Sequence, residues 1–290
     1  MSEPLHPLWL LPFCVAYFLA AGLAINVAYH RVLSHRSLTL NVWLERAFVT
    51  LGIPAGTPIQ WAGNHRWHHG HTDVEGDPHS PVLNGFWWAH VGWYIGTANP
   101  IVCFLYSLAG PLRVLYDGWN RPRTNQQYNH LAKDVAADPW YRFVSRPGPY
   151  LALCVLHVAM PFGGAYLLFG PLGVAAAWGM LALIFNLGDA IDSVTHIWGE
   201  RPYAEVHQAR NNLFMGYATL GEGWHANHHS FPSSARHGLL PGQFDFTWCV
   251  LRLFEKLGLA RDLRVPSPAE IEARMHSPAP ASPIRVTLPQ

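Results

Sequence analysis

The chain begins with a long apolar run at residues 8–28, LWLLPFCVAYFLAAGLAINVA. These 21 residues carry no charge. At 1.5 Å per helical residue they are long enough for the roughly 30 Å hydrocarbon core of a bilayer. A cleaved signal peptide would instead start with basic residues and end at a small-residue cleavage site. Here the start is MSEPLHP, and Arg31 and Arg36 follow the run. The stretch therefore predicts a membrane-spanning helix.

Two further apolar runs follow at residues 150–169 and 172–191. Gly170 and Pro171 between them predict a tight turn, so the pair would form a helical hairpin that crosses the membrane and returns. Three spans place the two ends of the chain on opposite sides. The short N-terminus carries no Lys or Arg and is expected outside, whereas the Arg-bearing segments are expected in the cytoplasm.

Residues 43–62 and 100–112 are apolar too, but the first contains charges and prolines and the second is too short to span. Both predict interfacial helices lying on the membrane. The fold class is then an all-α integral membrane protein with about three transmembrane helices, interfacial helices and a cytoplasmic helical cap. Residues 1–265 form this membrane-bound domain, and the proline-rich residues 266–290 are predicted to be a disordered tail.

The composition excludes several classes of protein. Of 290 residues, 50% are hydrophobic and 13% charged, which excludes disorder over most of the length. The net charge of +1 leaves no electrostatic footprint for nucleic acid. Four cysteines without a CxxC spacing indicate reduced thiols rather than a disulfide framework. A flavin or nicotinamide GxGxxG motif is also missing, so no organic cofactor site is predicted.

Histidine is the unusual residue type, with 18 copies against 19 Lys and Arg together. Half of them lie in three clusters and one adjoining position: His30 and His35; His65, His68 and His69; His225, His228 and His229; and His196. With the topology above, all of these positions fall on the cytoplasmic side at the membrane surface. We interpret the clusters as metal ligands.

The spacing of the clusters carries a geometric meaning. Helical positions i, i+3 and i+4 share a face, so the three histidines of the second cluster can converge, as can those of the third. His30 and His35 are about 140° apart on a straight α-helix. We therefore expect the helix to end between them, or the two to serve different metals. Nine imidazoles exceed the needs of one ion and divide naturally over two, while imidazole suits Zn, Cu, Fe and Ni alike.

The remaining histidines are given more ordinary roles. His71, His79 and His90 are candidates for supporting the ligands. Six others are interpreted as ordinary core or surface residues: His6, His130, His157, His207, His237 and His276. A membrane metal transporter is the competing interpretation of the clusters. It would place its ligands inside the spans, where only His157 lies.

The clusters and their flanks resemble those of the membrane-bound, stearoyl-CoA-type acyl-CoA desaturases. The matching motifs are HRVLSHRS, NHRWHHGHTDVEGDPHSP and GEGWHANHHSFP, with weaker matches at HVGW (90–93), DPWYRF (138–143), THIWGERPY (195–203) and SARHGL (234–239). The resemblance implies a non-haem di-iron enzyme that uses O2 and two electrons to introduce a double bond into a fatty acyl chain. Carried over by position, the iron ligands are His30, His35, His65, His68, His69, His196, His225, His228 and His229.

The chain departs from the animal relatives at several positions. Asp192 stands where they carry an asparagine that completes the ligand set through a water. The basic pair after HxGW that would meet the CoA phosphates is replaced by residues 94–99, YIGTAN. Residues 100–130 could instead form an interfacial lid whose Arg113, Arg121 and Arg123 contact phosphate.

An apolar tunnel should lead the acyl chain to the metals. Phe18, Gly22 and Asn26 recur every four residues on one helix face that leads to His30, and Phe18 or Gly22 would set the depth of the tunnel. Trp61 and Asp189 are further tunnel candidates. The carrier of the acyl group stays open among CoA, carrier protein and lipid, with delta-9 desaturation as the family default.

Partners and alternatives follow from the same pattern. Electrons would come from a separate ferredoxin or cytochrome b5-type donor with its reductase. A hydroxylase or acetylenase could use the same centre, and a His-rich membrane metal-binding or transport protein is the distant alternative.

Overall fold

The computed structural model describes residues 5–205 and 207–277, and these are predominantly helical. Alpha-helices occupy Leu10–Leu23, Val42–Leu51, Pro58–His71, Pro81–Asn84, Trp93–Ile95, Pro100–Ser107, Pro111–Asn120, Lys133–Ala137, Pro139–Val144, Pro147–Ser193, Leu213–Ala218, His225–Ser230, Phe246–Lys256 and Pro268–His276. Shorter 3-10 turns occupy Pro7–Trp9, Ile53–Ala55, Arg121–Arg123, Gln126–Ala132 and Val194–His196. Two π-helices occupy Ala24–Ser34 and Trp88–Gly92. Thr39–Leu40 pairs antiparallel with Ala260–Arg261.

Two helical stretches of the described chain are long and apolar enough to cross a membrane: Pro7–Ser34 and Pro147–His196. The first joins a 3-10 turn, an α-helix and a π-helix into one continuous rod. Its α-helical part, Leu10–Leu23, contains no buried residue, whereas all but one of the residues in the π-helical part are buried. The N-terminal part of this stretch therefore has an exposed apolar surface, whereas its C-terminal part packs in the interior of the protein.

The second stretch is a hairpin. Within Pro147–Ser193 the backbone leaves helical geometry at Gly170, with φ 63° and ψ −150°. A Cβ on Gly173 would lie 2.2 Å from the carbonyl oxygen of Ala165. Eight residues of straight helix span about 12 Å, so this approach requires the chain to reverse. The predicted turn at Gly170 and Pro171 is thus present, while the count of three membrane spans stays a prediction.

The predicted interfacial segment 43–62 does not form a single helix. One helix ends at Leu51, a 3-10 turn follows, and a second helix begins at Pro58. Pro54 and Pro58 lack the N–H that a continuous helix needs, and Gly56 has φ 144°. Residues 100–112 are divided in the same way, because Gly110 separates two helices.

A helix also stands in the segment that was predicted to be a disordered tail. Pro268–His276 begins with a capping box between Ser267 and Glu270, and Arg274 lies 2.6 Å from the carboxylate of Glu205 in the body of the protein. Local capping and this ion pair order a stretch whose proline content suggested otherwise. Residues 278–290, the rest of the predicted tail, lie outside the described residues.

Candidate metal centre

Four segments that are distant in sequence bring the clustered histidines together. They are the π-helix Ala24–Ser34, the helix Pro58–His71, the turn Val194–His196 that ends the hairpin, and the short helix His225–Ser230. The second of these starts at Pro58 and is capped by Thr57, whose Oγ1 accepts from the Gln60 backbone N–H at 3.2 Å. These local signals fix where the helix begins and therefore which face carries its histidines.

The short helix of the third cluster is held by one buried asparagine. The side-chain amide of Asn227 donates to the carbonyl of His237 at 2.7 Å and to Gln243 at 2.6 Å. Its oxygen accepts from Tyr203 and from Asn211. A six-residue helix is marginal by itself, so these four bonds supply the rigidity that its length does not.

The π-helix resolves the question raised by the five-residue spacing of His30 and His35. The helix continues through Ser34 without a break, and the His35 backbone N–H donates to the His30 carbonyl at 3.2 Å. Because a π-helix bonds residue i to residue i+5, the fifth residue returns to the same face. The expected helix end between the two is therefore wrong. The two rings fall into one group of candidate ligands, and the alternative that they serve different metals stays a prediction.

The first group contains five histidines whose ring nitrogens lie within 4.8 Å of one another: His30, His35, His65, His69 and His228. The Nε2 atom of His228 is 3.0 Å from that of His30 and 2.8 Å from that of His69. The Nε2 atom of His65 is 2.8 Å from that of His35 and 3.1 Å from that of His69. The Nε2 atoms thus point at a common centre.

The second group contains the other four, all of them buried: His68, His196, His225 and His229. The Nε2 atom of His225 lies 3.0 Å from those of His196 and His229. Residues of the second and third clusters contribute to both groups, because adjacent histidines such as His68 and His69 point to different sides of their helix. The two groups therefore lie side by side.

Carboxylates orient three of these rings from behind. The Nδ1 of His30 lies 2.5 Å from Glu222, that of His196 lies 2.9 Å from Asp73, and that of His68 lies 3.0 Å from Asp77. An Nδ1–H that donates to a carboxylate leaves the lone pair on Nε2 free, and it raises the basicity of that nitrogen. This arrangement suits metal ligation.

The electrostatics of the buried rings favour the neutral form that binds metal. Burial, reinforced by neighbouring histidines, lowers the pKa of His65, His69 and His228 well below the usual range. Burial alone would raise the pKa of Glu222, but His237, Arg31 and His30 together hold it well below its ordinary value. Neutral imidazoles and an ionised carboxylate are the states that a metal site requires.

The ligand spacing gives a direct test of whether metal ions fit. With a metal–nitrogen distance of 2.0–2.1 Å, as for zinc, two ligands at right angles lie about 2.9 Å apart. The close Nε2 pairs in the two groups fall between 2.8 and 3.1 Å. Neutral imidazoles in such numbers also have too few N–H groups directed inward to satisfy one another. Within the part of the chain that the structure describes, the Nε2 of His68 has no hydrogen-bond partner. The donor set therefore fits two metal ions.

The sequence patterns did not predict a role at this centre for four residues: His237, Glu222, Asp73 and Asp77. His237, interpreted as ordinary, is buried with its ring 5.2 Å from that of His30 and 4.7 Å from that of His228. Its Nδ1 lies 3.3 Å from Glu222, which had been given no role. Glu222 and His237 stand inside the quoted motifs GEGWHANHHSFP and SARHGL. Asp73 and Asp77 stand inside NHRWHHGHTDVEGDPHSP, so these motifs were the available signal.

The other histidines take several positions. His207, also interpreted as ordinary, has its ring 5.0 Å from that of His229. His79 stacks on His68 at 4.3 Å, as a supporting residue would. His71 bonds the Trp67 carbonyl. His90 forms its hydrogen bonds with Ser193 and Asn186 rather than with any of the nine clustered histidines.

A cavity adjoins the histidine groups and contains all five predicted tunnel residues. Its wall includes His30, His65 and His225 together with Phe18, Gly22, Asn26, Trp61 and Asp189. Asp192 lines it as well, with its Oδ2 3.9 Å from the Nδ1 of His79. Direct or water-mediated ligation by Asp192 stays a prediction.

The wall of the cavity is not wholly apolar. Arg113 is buried and forms a two-pronged ion pair with Asp189, at 2.5 and 3.0 Å. Arg121 is buried too, over the ring of Tyr94. The prediction that three arginines of a surface lid contact phosphate is therefore wrong for Arg113, whose charge is already neutralised inside the protein. Arg123 is exposed, and its guanidinium packs on Trp119.

The chain is similar to known proteins over most of its length. The family model described as fatty acid desaturase matches residues 7–241. The chain is 35% identical to a probable lipid desaturase, ADS3.2, of Arabidopsis thaliana over 92% of its own length and 66% of that protein. It is 37% identical to an acyl-CoA C20 Delta5-desaturase of Anemone leveillei, over 91% and 76%. It is 35% identical to Delta-9 acyl-lipid desaturase 1 of Arabidopsis thaliana, over 87% and 74%. The chain therefore belongs to the fatty acid desaturase family.

Proposed function

We propose that this protein desaturates a fatty acyl chain with O2 at two iron ions held by the nine clustered histidines. The observation that carries the proposal is their convergence in groups of five and four beside a cavity. Imidazole does not itself select iron. Family membership supports iron and desaturation over the other metals and reactions that such a centre could serve.

Each part of the site would have a separate task. Bound iron and O2 would supply the oxidant that removes hydrogen from an unactivated methylene, a step beyond acid–base side chains. Glu222, Asp73 and Asp77 would hold three ligand rings in position. The cavity between the apolar helices would keep the acyl chain extended and exclude water.

For the substrate we propose a class of molecules rather than a single compound. The similar proteins include a Delta5 enzyme named for acyl-CoA and a Delta-9 enzyme named for acyl lipids. We take a long-chain acyl group as the substrate, with an acyl thioester as the first carrier to test and delta-9 as the family default. Electrons would come from a separate ferredoxin or cytochrome b5-type donor with its reductase.

The membrane supplies the setting for this reaction. Two apolar stretches in a family of membrane desaturases support a multi-pass protein. The abundance of arginine around the clusters supports a metal site on the cytoplasmic face, where soluble electron donors could reach it.

The test is expression in a bacterial host that lacks an aerobic desaturase, followed by analysis of total fatty acids with derivatisation to locate double bonds. We expect a new monoene that is absent with His228→Ala. Mass spectrometry of the purified protein should find two iron atoms per chain. A hydroxylated fatty acid would identify a hydroxylase instead, and metal flux without substrate oxidation would identify a transporter.

A further inference from the structure

A second cleft on the surface adjoins the cavity of the metal centre. It lies between the start of the helix Pro58–His71, the 3-10 segment 121–132 and the residues just before the hairpin. Its polar lining consists mainly of Gln60, Arg121, Asn129, Arg142, Ser145 and Arg146. Arg121 lines both the cleft and the cavity, so the two spaces meet the same side chain.

The charge of this cleft is positive. It is lined by three arginines and by no acidic residue. Arg142 and Arg146 are exposed, and within the described parts of the chain neither forms an ion pair. Arg121 is buried, and its nearest carboxylate, that of Asp117, lies 3.6 Å away. Guanidinium groups recognise phosphate by paired, charge-assisted hydrogen bonds.

Four of the residues that line this cleft also carry buried polar atoms without a partner. These atoms are the Nε of Arg121, the Oε1 of Gln60, the Oδ1 of Asn129 and the Oγ of Ser145, and none of them has a hydrogen-bond partner among residues 5–205 and 207–277. Gln60 is only 2% exposed. Orphaned buried polar atoms are rare in folded proteins, and four on the residues of one cleft point to a ligand that supplies both acceptors and N–H or O–H donors.

We propose that this cleft binds the phosphate-bearing head group of the acyl carrier, and that the acyl chain passes Arg121 into the cavity of the metal centre. A phosphate ester with hydroxyl or amino groups would satisfy the arginines and the amide oxygens together. Coenzyme A and a phospholipid with an amino or hydroxyl head group both offer this chemistry, whereas a galactolipid has no phosphate. The proposal rests on the proposed function for the identity of the acyl chain.

The experiment measures binding and turnover separately on the full chain in lipid nanodiscs. The probes are stearoyl-CoA, a stearoyl phosphatidylethanolamine and a stearoyl monogalactosyldiacylglycerol. Arg142→Gln and Arg146→Gln should each raise the Kd of a phosphate-bearing probe about tenfold or more. Arg142→Lys and Arg146→Lys keep the charge and should lose less affinity. Arg261→Gln removes an exposed arginine outside the cleft and should change nothing.

Each outcome decides the question. A loss of affinity confined to stearoyl-CoA, or one confined to the phospholipid, supports the proposal and identifies the carrier. Unchanged Kd values for both in the Arg142→Gln, Arg146→Gln double variant would overturn it, as would an equal loss for the galactolipid. Reduced membrane insertion with unchanged Kd would show that these arginines only anchor the protein at the membrane surface. Arginine-dependent binding without any new double bond would uphold the cleft and refute the proposed function.

Discussion

The carboxylate of Glu222 connects several buried residues at the metal centre. It lies 2.5 Å from the Nδ1 of His30 on one oxygen and 3.1 Å from Arg31 on the other. Arg31 in turn reaches Asp245 at 3.2 Å. A ligand ring held this way keeps its Nε2 lone pair directed at the metal, so the charge on Glu222 should influence metal affinity from outside the ligand set.

We therefore expect Glu222→Gln to weaken metal binding by about 10- to 100-fold, because it removes the charge behind His30 while keeping the shape of the side chain. Competition with a chelator, read by mass spectrometry of bound metal, measures the effect. Glu255→Gln removes a surface carboxylate paired with Arg252 and serves as the control. Equal metal retention by both variants would show that Glu222 does not support the centre.

A second prediction concerns Phe18 and the length of the acyl chain that the cavity accepts. Phe18 lines the cavity, so Phe18→Ala should lengthen the space and raise the proportion of longer-chain products several-fold. Phe13→Ala is the matched control, since Phe13 packs on Tyr17 and Phe169 and does not line the cavity. The product profile of expressing cells gives the measurement. An unchanged chain-length preference in Phe18→Ala would refute a depth-setting role.

At the scale of elements, two local departures from α-helix organise the molecule. The π-helix Ala24–Ser34 rotates His35 onto the face of His30. The non-helical residue Gly170 reverses the chain, so that the second helix of the hairpin leads to His196 at the metal centre. Each departure moves a ligand that a straight helix would have directed elsewhere.

Substitution of Gly170 should destabilise the protein because of its backbone conformation and not because of steric contacts. Its φ of 63° and ψ of −150° belong to a region open almost only to glycine, while its Cβ position has no neighbour within 4 Å. Gly170→Ala should therefore cost about 1–3 kcal/mol and lower the Tm of the solubilised protein. Gly179→Ala, in the second helix of the hairpin with equally open space, should be neutral or slightly stabilising. Equal Tm values for the two variants would contradict the strained turn.

At the scale of the whole molecule, the proposed topology places the metal centre in the cytoplasm. Cys249 is exposed on the helix Phe246–Lys256, which packs against the π-helix that carries His30. A membrane-impermeant maleimide should therefore label Cys249 only after cells are permeabilised. His6→Cys in a Cys249→Ser background should be labelled in intact cells, because the N-terminus is expected outside. The reverse pattern would invert the topology.

The sequence by itself determined the family, the helical class and the nine candidate ligands, because apolar length and i, i+3, i+4 spacing are local properties of the chain. It also placed Phe18 and Asp189 beside the cavity. It could not divide the ligands between two centres, because that division depends on which side of each helix faces its neighbours. His30 and His35 fall into one group only because the helix between them is a π-helix. Glu222 and His237 reach His30 only because the chain around the third cluster folds against residues about 200 positions earlier. Only tertiary packing, which joins side chains regardless of their separation in sequence, decides such contacts.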